Sequence, residues 1–150
     1  MLKESKHVTN FRKRHLKTGE EITSFADGCI EEKIVKGKNT QCNGSLIITN
    51  VQVVFYKKSF LSEVIEIIPL EQITSVVRKP SLGFRTMVIN TSHDQLSFKV
   101  SALNANENSL LGAIEIGRRE ISKSSSLKRN NAIKSNSSFN ESNKFIGYFL

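Results

Sequence analysis

Carboxylates and potential nucleophiles in this sequence do not form a pattern that is typical of catalysis. The densest acidic group is Asp27, Glu31 and Glu32. Neighbouring residues on a strand point to opposite faces of the sheet, so Glu31 and Glu32 cannot both line one site. The sequence has no GxSxG, Walker A or HExxH motif and no paired Cys–His arrangement. We therefore expect no enzymatic activity.

Cysteine and histidine residues do not have the spacing of a metal site either. Cys29 and Cys42 belong to no CxxC motif, and His7, His15 and His93 are scattered along the chain. We therefore expect neither a zinc site nor any other cofactor. The two cysteines lie on either side of a predicted hairpin, which leaves a disulfide conceivable. Two small, partly buried hydrophobic side chains are the simpler interpretation.

Lysines form the clearest candidate binding site. Lys36 and Lys38 lie in a predicted turn just after Lys33, and the pair Lys57–Lys58 ends a later strand. Successive loops of a meander alternate between the two ends of a sheet, so these two lysine groups are predicted to share one rim. Such a rim suits a phosphate group or an anionic lipid. The alternative is that these lysines are simply solvated.

The net charge of +8 is concentrated at the two ends of the chain. Residues 1–21 hold six Lys/Arg against three Asp/Glu, and residues 122–150 hold five against one. Residues 22–121 hold eleven against ten and are therefore almost neutral. A protein that recognises nucleic acid usually carries a basic face on its folded domain. We expect at most weak, nonspecific nucleic-acid binding through the tails.

The basic N-terminal segment, residues 1–15, is predicted to be helical. Phe11 with Arg12, Lys13 and Arg14 forms a second candidate contact, for a membrane or a partner. A basic residue near an anionic leaflet contributes about 1 kcal/mol. A few such residues give only about millimolar affinity, so this segment alone does not hold the protein on a membrane.

The central part of the chain has the pattern of a β protein. Short runs rich in β-branched and aromatic residues alternate with turn signals, and Pro69 ends one of them. The pattern predicts about seven short strands, within residues 21–35, 44–49, 51–57, 63–68, 74–78, 84–91 and 95–100.

The pattern then changes to helical spacing between Asn104 and Ile121, where Leu110, Leu111 and Ile114 mark an apolar face. The predicted fold is therefore mainly β (α+β). It is a barrel or a strongly bent antiparallel sheet of about seven strands, capped by a C-terminal helix and preceded by a short N-terminal helix.

Four motifs occur in order along the chain: Leu16-x-x-Gly19-Glu20-Glu21-Ile22, Gly44-x-Leu46-x-Ile48-Thr49-Asn50, Val53–Tyr56 and Ile68–Val76. They resemble the bacterial PH-like families, most closely the YokE-like PH domain, and are similar to the related GRAM domains. The match covers roughly residues 14–121, so we expect the PH-like domain to span residues 16–121.

The resemblance implies a binding module without catalysis. Lipid-binding PH domains use a basic first hairpin and usually continue with a Lys/Arg-x-Arg pattern on the next strand. Here that strand reads TQCNGSL, which argues against inositol-phosphate specificity. Protein contact, including self-association, comes first among the expected functions. Anionic-lipid contact is the alternative, and nonspecific nucleic-acid binding is the second alternative.

The last segment, residues 122–150, is dominated by Ser, Asn and Lys and ends in the apolar patch FIGYFL. Its few large apolar residues cannot offset the entropy lost on ordering, so we expect a disordered tail. The N-terminus lacks the apolar h-region of a secretory signal. We expect a cytoplasmic protein, with peripheral membrane attachment as the alternative.

Overall fold

The computed structural model describes residues 3–31, 41–81, 83–101 and 107–146. Within these residues, seven antiparallel strands lie between an N-terminal and a C-terminal helix, as the sequence predicts, and a 3-10 turn connects the fourth and fifth strands. The elements are α1 (Lys6–Arg14), β1 (Ile22–Glu31), β2 (Gln41–Thr49), β3 (Gln52–Lys58), β4 (Glu63–Pro69), the 3-10 turn (Leu70–Gln72), β5 (Ile73–Ser81), β6 (Phe84–Thr91), β7 (Gln95–Ser101) and α2 (Glu107–Ile146).

The strands form one sheet in the order β4-β3-β2-β1-β7-β6-β5. The sheet is open, with β4 and β5 at its two edges, so closure into a barrel is not observed. A flat sheet of this size would separate its edges by about 29 Å. The 3-10 turn Leu70–Gln72 bridges these two edge strands and reaches at most about 15 Å. The sheet therefore has to bend until the end of β4 approaches the start of β5.

Helix α1 packs on the outer face of the sheet, over β2 and β3. Val8 and Phe11 of the helix are fully buried against Ile47, Val54 and Tyr56. The other side chains of β3, Val53 and Phe55, point to the inner face and are fully buried as well. Both faces of β3 are therefore covered, which explains its unbroken apolar run.

Two glycines let the inner core close. Gly28 and Gly44 lie directly opposite each other on β1 and β2. A Cβ atom on Gly28 would lie 2.2 Å from the carbonyl oxygen of Lys99, and one on Gly44 would lie 2.7 Å from a ring carbon of Phe55. The ring centroids of Phe55 and Phe98 are 6.3 Å apart. A side chain at either glycine would therefore collide with the core rings or with neighbouring backbone.

The Thr49–Asn50 turn joins β2 to β3 and ties down the chain just before β1. The Thr49 hydroxyl donates to the buried carboxylate of Glu20 (2.8 Å) and accepts from the amide of Gln52 (3.1 Å). The Asn50 side chain accepts from the amide of Glu21 at 2.9 Å. These motif residues therefore have structural roles.

The first part of α2, residues 107–118, packs in the same compact unit as the sheet. Glu107 is buried and accepts a hydrogen bond from Arg85 Nη1 at 3.2 Å, with Arg78 Nε 3.9 Å away. A carboxylate also suits the first turn of a helix, because the helix dipole is positive there. Gly117 lies so close to Leu70 that a Cβ atom would come within 2.5 Å of its Cδ1 atom.

The rest of α2 forms a second unit, and the helix continues to Ile146, far beyond its predicted end at Ile121. Composition predicts a disordered tail over residues 122–150, whereas the described part, up to Ile146, is helical. Every side chain from residue 122 to 135 is exposed. No burial therefore stabilises this part of the helix, and disorder in solution stays a prediction.

The cysteines occupy opposite faces of the sheet. Cys42 lies directly opposite Ile30, and Cys29 lies opposite Asn43. Because adjacent residues on a strand alternate faces, the side chains of Cys29 and Cys42 point away from each other. Both are free and buried. The sequence-based possibility of a disulfide across this hairpin is therefore wrong, and the interpretation as small hydrophobic side chains is confirmed.

Candidate binding site at the β3–β4 hairpin

The hairpin between β3 and β4 presents two large apolar side chains to solvent. Phe60 is 96% exposed and Leu61 is 90% exposed. The turn is closed beneath them, since the amide of Ser59 donates to the carbonyl of Ser62 at 2.9 Å and the two serine hydroxyls also bond to each other. The tip is therefore a tight turn whose two central residues are both hydrophobic.

The residue types at this tip depart from two common preferences, one for the residues of tight turns and one for the burial of large apolar side chains. Tight hairpin turns favour Asn, Asp and Gly at their central positions, and Phe and Leu are normally buried. Elsewhere the chain follows such rules, with Gly83 at a positive φ of 74° just before β6. A local exception of this kind is expected at functional positions. Phe60 and Leu61 are therefore the strongest candidates for a contact outside the chain.

Lysines flank the apolar tip. Lys57 and Lys58 end β3, are half-buried and point to opposite faces of the sheet. Within the part of the chain that the structure describes, neither forms an ion pair. Both ammonium groups thus remain able to contact an anion beside Phe60 and Leu61.

Helix α1 holds the base of the hairpin in place at two points. The amide of Lys58 donates to Nδ1 of His7 at 3.0 Å. On the neighbouring strand, Glu63 accepts from the Tyr56 hydroxyl at 2.5 Å and lies 2.6 Å from His15 Nε2. The base of the hairpin is therefore hydrogen-bonded to the N-terminal helix segment, whose apolar residues Val8 and Phe11 are buried.

The carboxylate of Glu63 is stabilised by the side chains around it. Hydrogen bonds from Tyr56 and His15, with the nearby charge of Arg14, lower the pKa of Glu63 to about 2. Burial and the adjacent Glu63 carboxylate raise the pKa of Tyr56 to about 12. Tyr56 is fully buried, so its hydroxyl is not presented to a substrate. The cluster fastens α1 to the hairpin.

An open groove lies between α1 and the hairpin tip, with a volume of about 650 Å³. Lys6, Thr9 and Asn10 line it from the helix, and Lys58 and Phe60 line it from the hairpin. The carboxylate of Glu4 also lines the groove, and it pairs with Arg12. Two ammonium groups thus stand in one groove, beside hydroxyl and amide groups and directly next to the apolar tip.

The surroundings of the groove are strongly basic. Residues 3–17 and 57–63 together hold eight Lys/Arg against only two glutamates. Both glutamates lie beside arginines: Glu4 pairs with Arg12, and Glu63 lies 3.7 Å from Arg14. The excess positive charge therefore resides mainly on lysines.

The structure describes only part of the lysine rim that the sequence predicts. Of the predicted lysine rim, Lys57 and Lys58 lie at the hairpin as expected, whereas Lys33, Lys36 and Lys38 lie outside the described residues. The register places the ends of β1 and β3 on the same side of the sheet, because Ser45 of β2 pairs with Tyr56 and Gln41 pairs with Glu31.

The N-terminal candidate site needs a correction. Phe11 is fully buried and packs with its ring centroid 5.7 Å from that of Tyr56, so it contacts the core and not a membrane or a partner. Arg12 and Arg14 are engaged in the ion pairs with Glu4 and Glu63. Lys13 is exposed, as the prediction requires.

Sequence reasoning missed Phe60 and Leu61. A signal was available, because KKSFLSE places two large apolar residues inside a predicted turn between two serines. Apolar pairs in turns are more often buried by neighbouring segments, and only the structure shows that nothing described covers this one.

A second concavity, of about 340 Å³, lies between β4 and the β6–β7 turn. Ile68 and Leu96 line it together with the carboxylates of Glu66 and Asp94. These carboxylates disfavour an anionic ligand, so this concavity is not a second site for phosphate. In the described ranges, no group of three His, Cys, Asp or Glu residues could hold a metal ion. Nor is any helix there both long and apolar enough to cross a bilayer.

No protein-family model matches the sequence, and no curated protein matches it either. Among solved structures, the chain is similar to the crystal structure of the C-terminal domain of an unknown protein from Leishmania infantum. The identity is 19%, the TM-score is 0.49, and the match covers 69% of this chain and 88% of that one. A likeness at this level carries no conclusion about function.

Proposed function

We propose that this chain is a non-catalytic binding module of the PH-like type that docks on anionic membrane surfaces through the β3–β4 hairpin. The observation that carries the proposal is the exposure of Phe60 (96%) and Leu61 (90%) between Lys57–Lys58 and the lysines of α1. An apolar tip surrounded by cations matches the chemistry of an anionic bilayer, whose phosphates cover a hydrocarbon interior.

The expected binding free energy is large enough only when the apolar tip and the lysines act together. Burial of a Phe or Leu side chain contributes about 1.5–3 kcal/mol, so the tip offers about 3–6 kcal/mol. Four lysines near an anionic leaflet, Lys6, Lys13, Lys57 and Lys58, add about 4 kcal/mol. The sum corresponds to a Kd of about 1 μM, whereas the lysines alone give about 1 mM.

The PH-like assignment rests on two supports. One is the order and spacing of the four sequence motifs between Leu16 and Val76. The other is the architecture of β1–β4 beside β5–β7, followed by a helix on the same compact unit. The bent, open sheet fits a PH-like fold whose β4 and β5 edges are joined by a short connector.

The proposal is tested by flotation with vesicles of phosphatidylcholine, with and without phosphatidylserine, at low and at moderate salt. The chain should float much more with the anionic than with the neutral vesicles, and less at moderate salt. Lys57→Glu/Lys58→Glu should abolish flotation. The matched control is Lys123→Glu/Lys128→Glu, which makes the same charge change on exposed positions of α2 and should float as the unaltered chain does. A loss only in the control would assign binding to the tail and overturn the proposal.

A second candidate function is self-association through the β4 edge. Strand β4 pairs only with β3 in the described sheet, and its outer-face residues Ile65 and Ile67 are 37% and 50% exposed. Unpaired edges with apolar side chains are templates for pairing with another strand, and a second copy offers the same edge. Light scattering after gel filtration should then give a dimer that Ile67→Lys converts to a monomer. A monomer at all concentrations rules this candidate out.

Nucleic-acid binding stays the weakest proposal. On the outer face of the sheet, Lys79 and Lys99 flank Thr86, and Phe84 is 50% exposed nearby. Proteins that hold single strands stack successive bases on several rings, whereas Phe84 offers one position. A gel shift that survives near-physiological salt would contradict this ranking.

A further inference from the structure

We infer that the β3–β4 hairpin penetrates the bilayer: Phe60 and Leu61 enter the acyl-chain region while a lipid phosphate occupies the groove between α1 and the hairpin. This inference rests on the proposed function and deepens it. Docking on the headgroups alone would need only the lysines, and it leaves the two exposed side chains without a role.

The position of the apolar residues supports insertion. Phe60 and Leu61 are the two central residues of a tight turn, so they are the outermost part of the hairpin. The next residues on either side, Ser59 and Ser62, are small and bond to each other. Their polar groups are therefore already partly satisfied when the tip leaves water, which lowers the cost of moving the turn into the interface.

The rigidity of the hairpin base supports insertion as well. The hydrogen bond from the Lys58 amide to His7 and the contacts of Glu63 with Tyr56 and His15 fix both strands beneath the tip. A loop that is ordered before binding loses less conformational entropy on binding.

The groove provides a place for one headgroup. Lys6 and Lys58 both line it, and Asn10 adds an amide group that can donate to phosphate oxygens. The hydroxyls of Thr9 and Ser59 are bonded to Glu4 and Ser62. Phe60 lines the same groove. A phosphate held between the lysines is therefore adjacent to the side chain that enters the acyl region, as in a lipid whose phosphate is joined to its own acyl chains.

Insertion predicts a specific salt dependence. Added salt screens the attraction of the lysines to the leaflet but not the burial of Phe60 and Leu61. Binding to anionic vesicles should therefore weaken with salt and then level off instead of vanishing. A protein partner is the competing occupant of this surface, and it would give no such dependence on vesicles.

The chain contains no tryptophan, so Phe60→Trp introduces a unique fluorescent reporter at the tip. The control is Leu127→Trp, at a position of α2 that is 64% exposed. With phosphatidylserine-containing vesicles, the emission of the tryptophan at position 60 should shift to the blue and be quenched by lipids brominated on their acyl chains. The control tryptophan should do neither.

Flotation of the same samples distinguishes insertion of the tip from docking on the lipid headgroups. Flotation with an unshifted, unquenched tryptophan at position 60 would overturn insertion and leave headgroup docking intact. Absence of flotation at low salt would overturn both. Free glycerophosphoserine should not shift the emission, because it has no acyl chains; a shift with this soluble headgroup would assign the groove to a soluble anion.

Discussion

The backbone amide of Lys58 donates a hydrogen bond to Nδ1 of His7, 51 residues earlier in the chain, at 3.0 Å. This bond joins α1 to the strand end that carries the exposed tip of the β3–β4 hairpin. The N-terminal helix is thus part of the structure that presents Phe60 and Leu61, and it is not a separate basic arm.

Removal of the His7 ring should loosen the hairpin base. His7→Ala leaves the Lys58 amide without its acceptor, which should lower the free energy of unfolding by about 1–2 kcal/mol. Urea unfolding measures this loss, and hydrogen exchange of the Lys58 amide should become faster. His93→Ala, at an exposed position in the β6–β7 turn, should change stability by less than about 0.5 kcal/mol. Equal effects of the two changes would contradict the account.

The Glu63 cluster should make the stability depend on pH in the acid range. Because the pKa of Glu63 is lowered to about 2 in the folded chain, its ionised form stabilises the fold above the ordinary pKa of 4.5, and this contribution disappears as the pH falls to about 2. The unfolding free energies of the unaltered chain and of Glu63→Gln should therefore differ most near pH 6 and converge toward pH 2. Tyr56→Phe removes the main hydrogen-bond donor to Glu63, so the unfolding free energy should depend less on pH over the same range. A difference that stays constant with pH would show that Glu63 has no such role.

The glycine pair under the core rings should tolerate no side chain. Gly28→Ala and Gly44→Ala place a Cβ atom 2.2 Å and 2.7 Å from backbone carbonyl oxygens. Each should cost at least about 2 kcal/mol, because backbone has to move. Gly112→Ala is the matched control in α2, where a Cβ atom meets nothing within 4 Å. It should stabilise the chain by about 0.5–1 kcal/mol. Thermal unfolding measures these changes. If Gly28→Ala or Gly44→Ala unfolded at a temperature as high as that of Gly112→Ala, the packing described here would be contradicted.

The second half of α2 should contribute little to the stability of the folded domain. Its side chains from residue 122 to 135 are exposed, and Ser and Asn are weak helix formers. A chain that ends at Ile121 should therefore unfold at the same temperature as the full chain. Circular dichroism at 222 nm should change little on this truncation if the tail is disordered in solution. A loss of signal equal to about 25 helical residues would show that the helix persists without burial.

The local patterns of the sequence predict most of the elements. Alternation of β-branched residues locates the strands, and the Thr49–Asn50 step marks a turn in which the Thr49 hydroxyl accepts from the amides of Val51 and Gln52. The pairing of β1 with β7, Cys29 opposite Lys99, joins residues that are far apart in sequence. Turn signals and periodicity describe neighbours along the chain, so they do not determine such a pairing.

The candidate site was harder to predict than the fold. Basic residues identify Lys57 and Lys58, but composition does not distinguish a lysine in an ion pair from one that faces an open groove. Phe11 and Phe60 are chemically identical in the sequence, yet Phe11 is fully buried and Phe60 is 96% exposed. The difference arises from which segment packs against each ring, and that is a tertiary property.

The most direct test of the central claim is flotation of Phe60→Ser/Leu61→Ser with phosphatidylserine-containing vesicles at near-physiological salt. The double change keeps every charge and the serine-closed turn, and it removes only the apolar tip. The matched control, Leu127→Ser/Ile133→Ser, removes two similarly apolar, exposed side chains from α2. We expect binding about 1,000-fold weaker for the hairpin variant, which keeps only the lysines, and unchanged for the control. Equal binding of the hairpin variant and the unaltered chain would contradict membrane docking through this hairpin.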